Sequence, residues 1–438
     1  MLGIIGFITI ITIVGLLLTE KTSPITALII VPIIGALVAG TSIHDIGLYF
    51  NSGAQKVFPI VIMFIFAIIY FGIMNDVGLF TPMINKMVAL SHGSIQSVVI
   101  GTVFIAAIAH LDGSGASTFL ITIPALLPLY RRLRMSPYLL LLLVGASASI
   151  MNMLPWAGPI GRAAALLSMN PTDLWRPLVP LQFIALIMLV PMAMLLGVRE
   201  KRRIANLPPL QHSLNEMAHN NDGSKSPATL STSNTQPKKL AMNVLLTLSV
   251  IGLLLWGIIP SGFTFMIGVS LALSLNYSKV SDQMDRIKAH APSAVLMGCI
   301  ILSAGAFLGI LTGTKMLNAL AQDIVTVLPN AILPYLHIII GLLGAPFELI
   351  LNTDAYYFAL VPIVEHITSN VGVNSQSAIY AMIIGNILGT FISPFSPALW
   401  LGLGLAELKM GRHIRYSFFW IWGLSILLLI VAIMLGIV

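Results

Sequence analysis

The chain has 438 residues, of which 57% are hydrophobic and only 8% charged, with a mean hydropathy of +0.97. Soluble domains carry roughly 25% charged residues, so these proportions exclude a water-soluble globular protein and indicate an all-α polytopic membrane protein. The net charge of +7 does not point to nucleic acid, because most basic residues fall in short loops, and the lone Cys299 rules out an internal disulfide or a thiolate metal cluster.

The N-terminus, Met1-Leu2-Gly3-Ile4, has no basic n-region and no small-residue cleavage site. Residues 2–18 therefore read as a retained first span rather than a signal peptide. A span needs about 20 apolar residues, and the next two lie near 24–40 and 57–75. Asp76 closes the third as an interfacial cap or hinge, before a short amphipathic stretch near 80–90. The apolar tract 95–130 is long enough for two helices, but Asp112-Gly113-Ser114-Gly115 interrupts it. It reads as a re-entrant hairpin whose tip stops inside the membrane. A broken span follows at 137–168, interrupted by Pro155-Trp156-Ala157-Gly158-Pro159, and a last span lies near 177–198.

Residues 204–239 are polar without apolar periodicity, so 199–239 reads as a flexible cytoplasmic linker. The order then repeats. Spans fall near 240–259, 261–277 and 291–312, with an amphipathic stretch at 316–328. A second hairpin covers 331–362, a second broken span 375–408, and a last span 415–437. The interruptions recur as Asn352-Thr353-Asp354 and Pro394-Phe395-Ser396-Pro397. Landmarks match at nearly constant separation: Gly72 to Gly309 is 237 residues, Pro124 to Pro362 is 238, and Pro155 to Pro394 is 239.

Residues 1–198 and 240–438 are thus expected to be repeats of five crossings and one hairpin each. An odd number of crossings makes them inverted. Basic residues support this arrangement. With the N-terminus outside, 17 of the 22 Lys and Arg fall in cytoplasmic loops, whereas the outer loops hold only Lys56, Arg176 and Lys315. Both termini are then outside. The first hairpin enters from the cytoplasm and the second from outside.

Polar, helix-breaking residues at membrane depth are tolerated only where they line a cavity or are buried in protein, and a matched pair of them marks a transporter's binding site. Asp112, Glu348 and Asp354 fall within the hairpins. A carboxylate at that depth costs several kcal/mol if charged and unpaired. It carries a proton, meets a cation, faces water, or accepts hydrogen bonds from the hairpin amides. Gly113 and Gly115 allow the chain to reverse and its N–H groups to approach a ligand. Ser114, Ser117 and Thr118 open the next helix, where hydroxyls cap and the helix end favours anions. Thr353, beside Asn352, holds the matching place at the second tip.

At the broken spans, Asn152 precedes Pro155 and Asn386 precedes Pro394. Proline parts the helix there, which frees carbonyls for cations and aims restarted half-helices at anions. Gly158, Ser393 and Ser396 belong to these breaks. Arg162, one turn after Pro159, is the one basic residue placed inside a span. It suits a carboxylate of a ligand or of the protein. His110, His337 and His366 lack paired metal spacing and read as structural. Gly309 to Lys315 has the wrong glycine spacing for a phosphate loop.

Three hairpin acids facing one buried arginine would repel a free multivalent anion. An anion chelated to a divalent ion removes that conflict, because the hard cation takes carboxylate, hydroxyl and carbonyl oxygens.

These residues resemble the citrate–metal:proton symporters of the CitMHS family, within the ion transporter superfamily. The resemblance is carried by residues 71–80, Leu111-Asp112-Gly113-Ser114-Gly115, the Pro155–Pro159 motif with Arg162-Ala163-Ala164, residues 352–358, and Ser393-Pro394-Phe395-Ser396-Pro397-Ala398. It implies proton-coupled uptake of citrate complexed with a divalent metal such as Mg or Ca, with no permanently bound cofactor. It also implies a scaffold domain, a hairpin-bearing transport domain moving as an elevator, and a homodimer in the cell's inner membrane. Asp112, Asp354 and Glu348 become the proton or cation-coupling residues, with Asp112 and Asp354 touching the metal of the complex. Family members can read Asp-Gly-Asp-Gly at the first hairpin, where this chain has Ser114. One acid fewer bears on the preferred metal, and leaves another di- or tricarboxylate, carried without chelation, as the alternative. A channel is disfavoured by occluding hairpins, and an enzyme by the lack of a catalytic triad or metal-ligand cluster.

Overall fold

The computed structural model describes residues 1–18, 21–79, 81–82, 94–206, 237–351 and 353–438. They are almost entirely helical, with no strand among them. Five helices are long and apolar enough to cross a membrane on length and composition, and the rest are shorter apolar helices. Most of the expected amphipathic stretch at 80–90 and most of the linker lie outside the described residues.

Helix starts follow local capping. Ser23, Ser42 and Ser94 each accept a hydrogen bond from an amide three residues on, which opens α2 (Pro24–Val38), α3 (Ile43–Asp76) and α4 (Ile95–Ala109). The first helix, α1 (Leu2–Leu18), precedes them. The third helix therefore begins 14 residues before the expected span. Ser42 provides the cap, and Ser42 Oγ also donates to Asp45 Oδ2 at 2.7 Å. Hydropathy locates the lipid-facing part of a helix, not its capped, polar extension.

The first hairpin is α4, a single 3-10 turn at His110–Asp112, and α5 (Gly115–Arg132). The first broken span is α6 (Pro137–Met151) and α7 (Gly158–Leu167), followed by α8 (Leu178–Ala205). The second half runs α9 (Pro237–Trp256), α10 (Ser261–Asn276), α11 (Val280–Gly313) and α12 (Met316–Val327). Its hairpin descends through α13 (Leu336–Leu342) and a short turn at Gly344–Phe347. It returns through Thr353–Ala355, a π-helical turn at Tyr356–Leu360, and α14 (Val361–Asn370). This hairpin extends eight residues past its expected end, because Pro362 falls in the first turn of α14, where proline is tolerated. The second broken span is α15 (Ser375–Ile387), a 3-10 turn at Leu388–Phe391, and α16 (Pro397–Ala406). The last helix is α17 (Met410–Met434).

Left-handed backbone positions recur at the separations of the sequence landmarks. Among the described residues, four non-glycine residues have positive φ: Arg134, Ser168, Lys315 and Glu407. Each has a left-handed counterpart in the other half. Gly78 pairs with Lys315 (237 residues apart), Arg134 with Gly372 (238), and Ser168 with Glu407 (239). A left-handed conformation is costly for residues with a Cβ. Its recurrence in register marks equivalent helix stops after α3/α11, α5/α14 and α7/α16.

The two 34-residue helices, α3 and α11, pack antiparallel at the centre. Gly53 lies against Gly305 and Gly309, while at the other end Gly72 lies against His290. A Cβ on Gly53 would stand 2.0 Å from the Gly305 carbonyl oxygen, so only backbone fits at this crossing. Around this pair sit α2 on α11 and α10 on α3, with α1 on α12. The hairpins and broken spans pack together beside it: α4 on α6, α5 on α16, and α13 on α15.

Candidate functional site

The four interruptions converge. At the first tip, Gly113 adopts φ +73°, and the Ser114 amide donates to Asp112 Oδ1 at 2.8 Å. The Trp156 indole N–H donates to the Leu111 carbonyl at 2.8 Å, which fixes the break of the first broken span against that tip. Fully buried His110 joins the same elements. Its Nδ1 is hydrogen-bonded with Thr118 Oγ1 at 2.7 Å, and Asn152 Oδ1 accepts from its Nε2 at 2.9 Å. Both ring nitrogens of His110 are thus satisfied within the fold.

The restarted helix α7 carries Arg162, whose Nε donates to Asp354 Oδ1 at 2.7 Å. Their side chains are only 11% and 14% exposed. This contact joins the first broken span to the second hairpin. Gly158 makes room for it, because a Cβ there would stand 2.6 Å from Arg162 Nη1. At the second break, Ser393 Oγ donates to the Glu348 carbonyl at 2.6 Å, and Asn386 Nδ2 to the Gly344 carbonyl at 3.3 Å. A Cβ on Gly115 would stand 2.7 Å from the Phe391 ring and 2.9 Å from Ala398, so the first hairpin also rests on the second broken span.

A cavity of about 320 Å³ opens between the first tip and the α3–α11 pair. Asp112, Gly113, Ser114 and Ser117 line it from the hairpin, and Trp156 and Gly158 from the break. Gly72 and Asn75 contribute from α3, and His290 and Ser293 from α11. A second cavity, of about 280 Å³, lies at the other end of the α3–α11 crossing. Lys56, Ser168, Glu365 and His366 are among its lining residues.

Of the expected site residues, Asp112, Ser114, Ser117 and Gly158 share the first cavity. Arg162 adjoins it through Gly158, with Asp354 behind. Gly115, Asn152, Asn386 and Ser393 are engaged within the fold by the contacts above. Glu348 is fully buried; among the described residues its carboxylate oxygens meet no well-formed hydrogen bond, although the Asn386 and Ser393 side chains stand beside it. Ser396 precedes α16 without a side-chain cap bond, and Thr353 is half-buried at the start of the helix after the second tip. Asn352 lies outside the described residues.

The family model described as "CitMHS: Citrate transporter" matches residues 4–385. The chain belongs to the CitMHS citrate transporter family. Among curated relatives, it is 33% identical to a citrate transporter of Bacillus subtilis (strain 168), over the full length of both chains. It is 34% identical to that organism's "Mg(2+)/citrate complex secondary transporter", across 100% of this chain and 99% of the relative. Among solved structures, the Alcanivorax borkumensis YdaH transporter, whose crystal structure revealed an unusual topology, matches with a TM-score of 0.60. It is 14% identical over 90% of each chain, a likeness of fold alone.

This CitMHS protein is thus a multi-pass membrane transporter, not an enzyme. Its cavity includes Asn75, His290 and Ser293, which sequence reading did not single out. His290 and Ser293 fell at the edge of a span drawn from residue 291, although a histidine and a serine one turn apart at the head of an apolar run were a usable signal. His290 Nε2 bonds with Asp76 Oδ2 at 2.8 Å, so Asp76 joins α3 to α11 rather than merely ending a helix.

Proposed function

We propose that this CitMHS protein takes up citrate complexed with a divalent metal ion, driven by protons, across the cell's inner membrane. The observation that carries this reading is the Arg162–Asp354 pair beside the Asp112 cavity. An arginine held at a helix restart by one displaceable carboxylate is a receptor for a ligand carboxylate. Citrate is a trianion, and a bound divalent cation leaves it one net negative charge, within reach of a single arginine. Asp112, with Ser114 and Ser117, offers the oxygen ligands a hard cation prefers.

Asp112, Asp354 and the fully buried Glu348 are the candidate coupling groups, with Asp112 and Asp354 the candidates for touching the metal. Ser114, Gly115, Ser117, Asn152, Gly158, Arg162, Asn352, Thr353, Asn386, Ser393 and Ser396 form the proposed substrate shell. The antiparallel α3–α11 pair and the matched left-handed stops support inverted repeats over 1–198 and 240–438, with both termini outside and the 199–239 linker cytoplasmic. The close-packed α3–α11 body and the separate cluster of hairpins and broken spans support an elevator, within a homodimer. Ser114 at the first tip favours one alternative: a di- or tricarboxylate carried by proton or cation symport without chelation.

The test is labelled citrate uptake into proteoliposomes with Mg, Ca, Zn, Ni or no divalent ion, across pH, with and without an uncoupler. Saturable accumulation that requires a divalent ion and collapses with the uncoupler is expected. Equal uptake with and without metal removes the chelate, and indifference to the uncoupler removes the proton.

A further inference from the structure

Away from the transport site, α8 and α17 enclose a recess of about 390 Å³ lined by Arg199, Arg412, Arg415, Tyr416, Phe419 and Trp420. The Arg199 guanidinium lies 5.9 Å from the Tyr416 ring centroid, which ties the two helices together at this end. Among the described residues, none of the three arginines is ion-paired. Two of them stand in the first two turns of α17, whose N-cap, Lys409, makes no side-chain cap bond. A helix start carries partial positive charge, so cations gathered there repel it unless an anion joins them.

Below the arginines the same face of α17 becomes apolar. Phe419 (73% exposed), Leu427 (53%), Ile430 (46%) and Met434 (81%) follow at three- and four-residue steps or their sums. Between them Gly423 has nothing within 4 Å of where a Cβ would be, which leaves a groove. On α8, one turn inward from Arg199, Leu195 is 64% exposed. A cationic cup, an aromatic collar and an apolar track follow one another along a single helix face. That sequence of surfaces complements an anionic headgroup, its glycerol region and its acyl chains. A free phosphate would leave the track unused.

We propose that this recess is a binding site for an anionic phospholipid, its phosphate held by Arg199, Arg412 and Arg415 and its chains lying along α17.

The test uses the purified full-length protein, delipidated and reloaded from detergent containing equal phosphatidylglycerol and phosphatidylcholine, with retained lipid quantified by mass spectrometry. Wild type is expected to retain phosphatidylglycerol selectively. The Arg199→Gln/Arg412→Gln/Arg415→Gln variant should lose that selectivity, at about fivefold per arginine. Arg131→Gln, which removes an exposed arginine paired with Glu407 outside the recess, should retain it. Excess inorganic phosphate should not displace the lipid. Size-exclusion profiles report folding, and if the triple variant aggregates, Arg412→Gln alone should still cost about fivefold. Equal retention by wild type and the arginine variants overturns the proposal. So does equal retention of the two lipids, or displacement by phosphate.

Discussion

The Arg162–Asp354 contact allows a ligand-binding arginine to be separated from a structural one. Arg162→Gln leaves Asp354, 14% exposed, without its cation. Removing one partner of a buried pair costs about 3–5 kcal/mol, because the remaining charge is uncompensated. In detergent this should lower the melting temperature by on the order of 5 °C or more. Asp354→Asn should do similar damage from the other side by stranding Arg162. In the double variant Arg162→Gln/Asp354→Asn neither charge is stranded, so two amides replace an ion pair and most of the lost stability should return. Transport should part company with stability here. If Arg162 receives a citrate carboxylate, the double variant is stable but transports poorly. The loss of a charge-assisted bond, about 1.5–3 kcal/mol, raises KM by roughly 10- to 100-fold. Thermal melts and labelled citrate uptake on the same four proteins complete the cycle. A double variant with wild-type KM would show that Arg162 serves the fold alone, and the ligand assignment would fall.

Gly53→Val places side-chain atoms where the Gly305 carbonyl now sits. It should cost well over the usual 1–3 kcal/mol of overpacking and abolish a monodisperse product, as seen by expression and size exclusion; a well-folded variant would contradict the α3–α11 crossing. His110→Ala removes a fully buried ring and strands its contacts with Thr118 and Asn152, for a loss of about 2–4 kcal/mol, measurable by thermal melt. Asp112→Asn keeps the turn-forming acceptor for the Ser114 amide but cannot carry a proton. Uncoupler-sensitive accumulation should disappear, and normal accumulation would remove Asp112 from coupling. Cysteines introduced singly at 133 and 282, on a Cys299→Ala background, should be labelled by an impermeant maleimide from the same side; labelling from opposite sides would break the inverted topology.

Much of this was legible because lipid leaves few options for the backbone. Nearly every helix expected from hydropathy forms, with one helix ending at Ala109 before Gly115 starts the next and another ending at Met151 before Gly158 starts the next. What escaped was polar. The leading turns of α3 are opened by the Ser42 cap, the leading turns of α3 and α11 each lie against the trailing end of the other helix, and hydropathy registers neither. The consequence was practical, since His290 and Ser293 lie near that unread boundary and line the cavity. The roles of the tip residues also divided in ways that spacing could not reveal. Asp112 stands before its tip and Asp354 after the other, so the two acids are not repeat equivalents. The residue 238 positions after His110 is Glu348. Both are fully buried, yet the histidine is bonded through both ring nitrogens, whereas among the described residues the glutamate oxygens meet no well-formed hydrogen bond.

That asymmetry bears on how the proposed repeats would yield a directional transporter. Two identical halves would make a site with the same charge on both sides, and nothing to bias one ligand orientation. Here the first half supplies Arg162 and a satisfied hairpin held to its own break by His110 and Trp156. The second supplies Asp354, which reaches across to that arginine, and the buried acid Glu348 beside Asn386 and Ser393. The cation at the centre belongs to one half of the chain, and the acid that answers it belongs to the other. If, as proposed, a ligand carboxylate competes for Arg162, it must loosen the contact between the second hairpin and the first broken span. In the proposed function, binding is thereby coupled to the relative freedom of the two halves, which a site built within one half could not achieve.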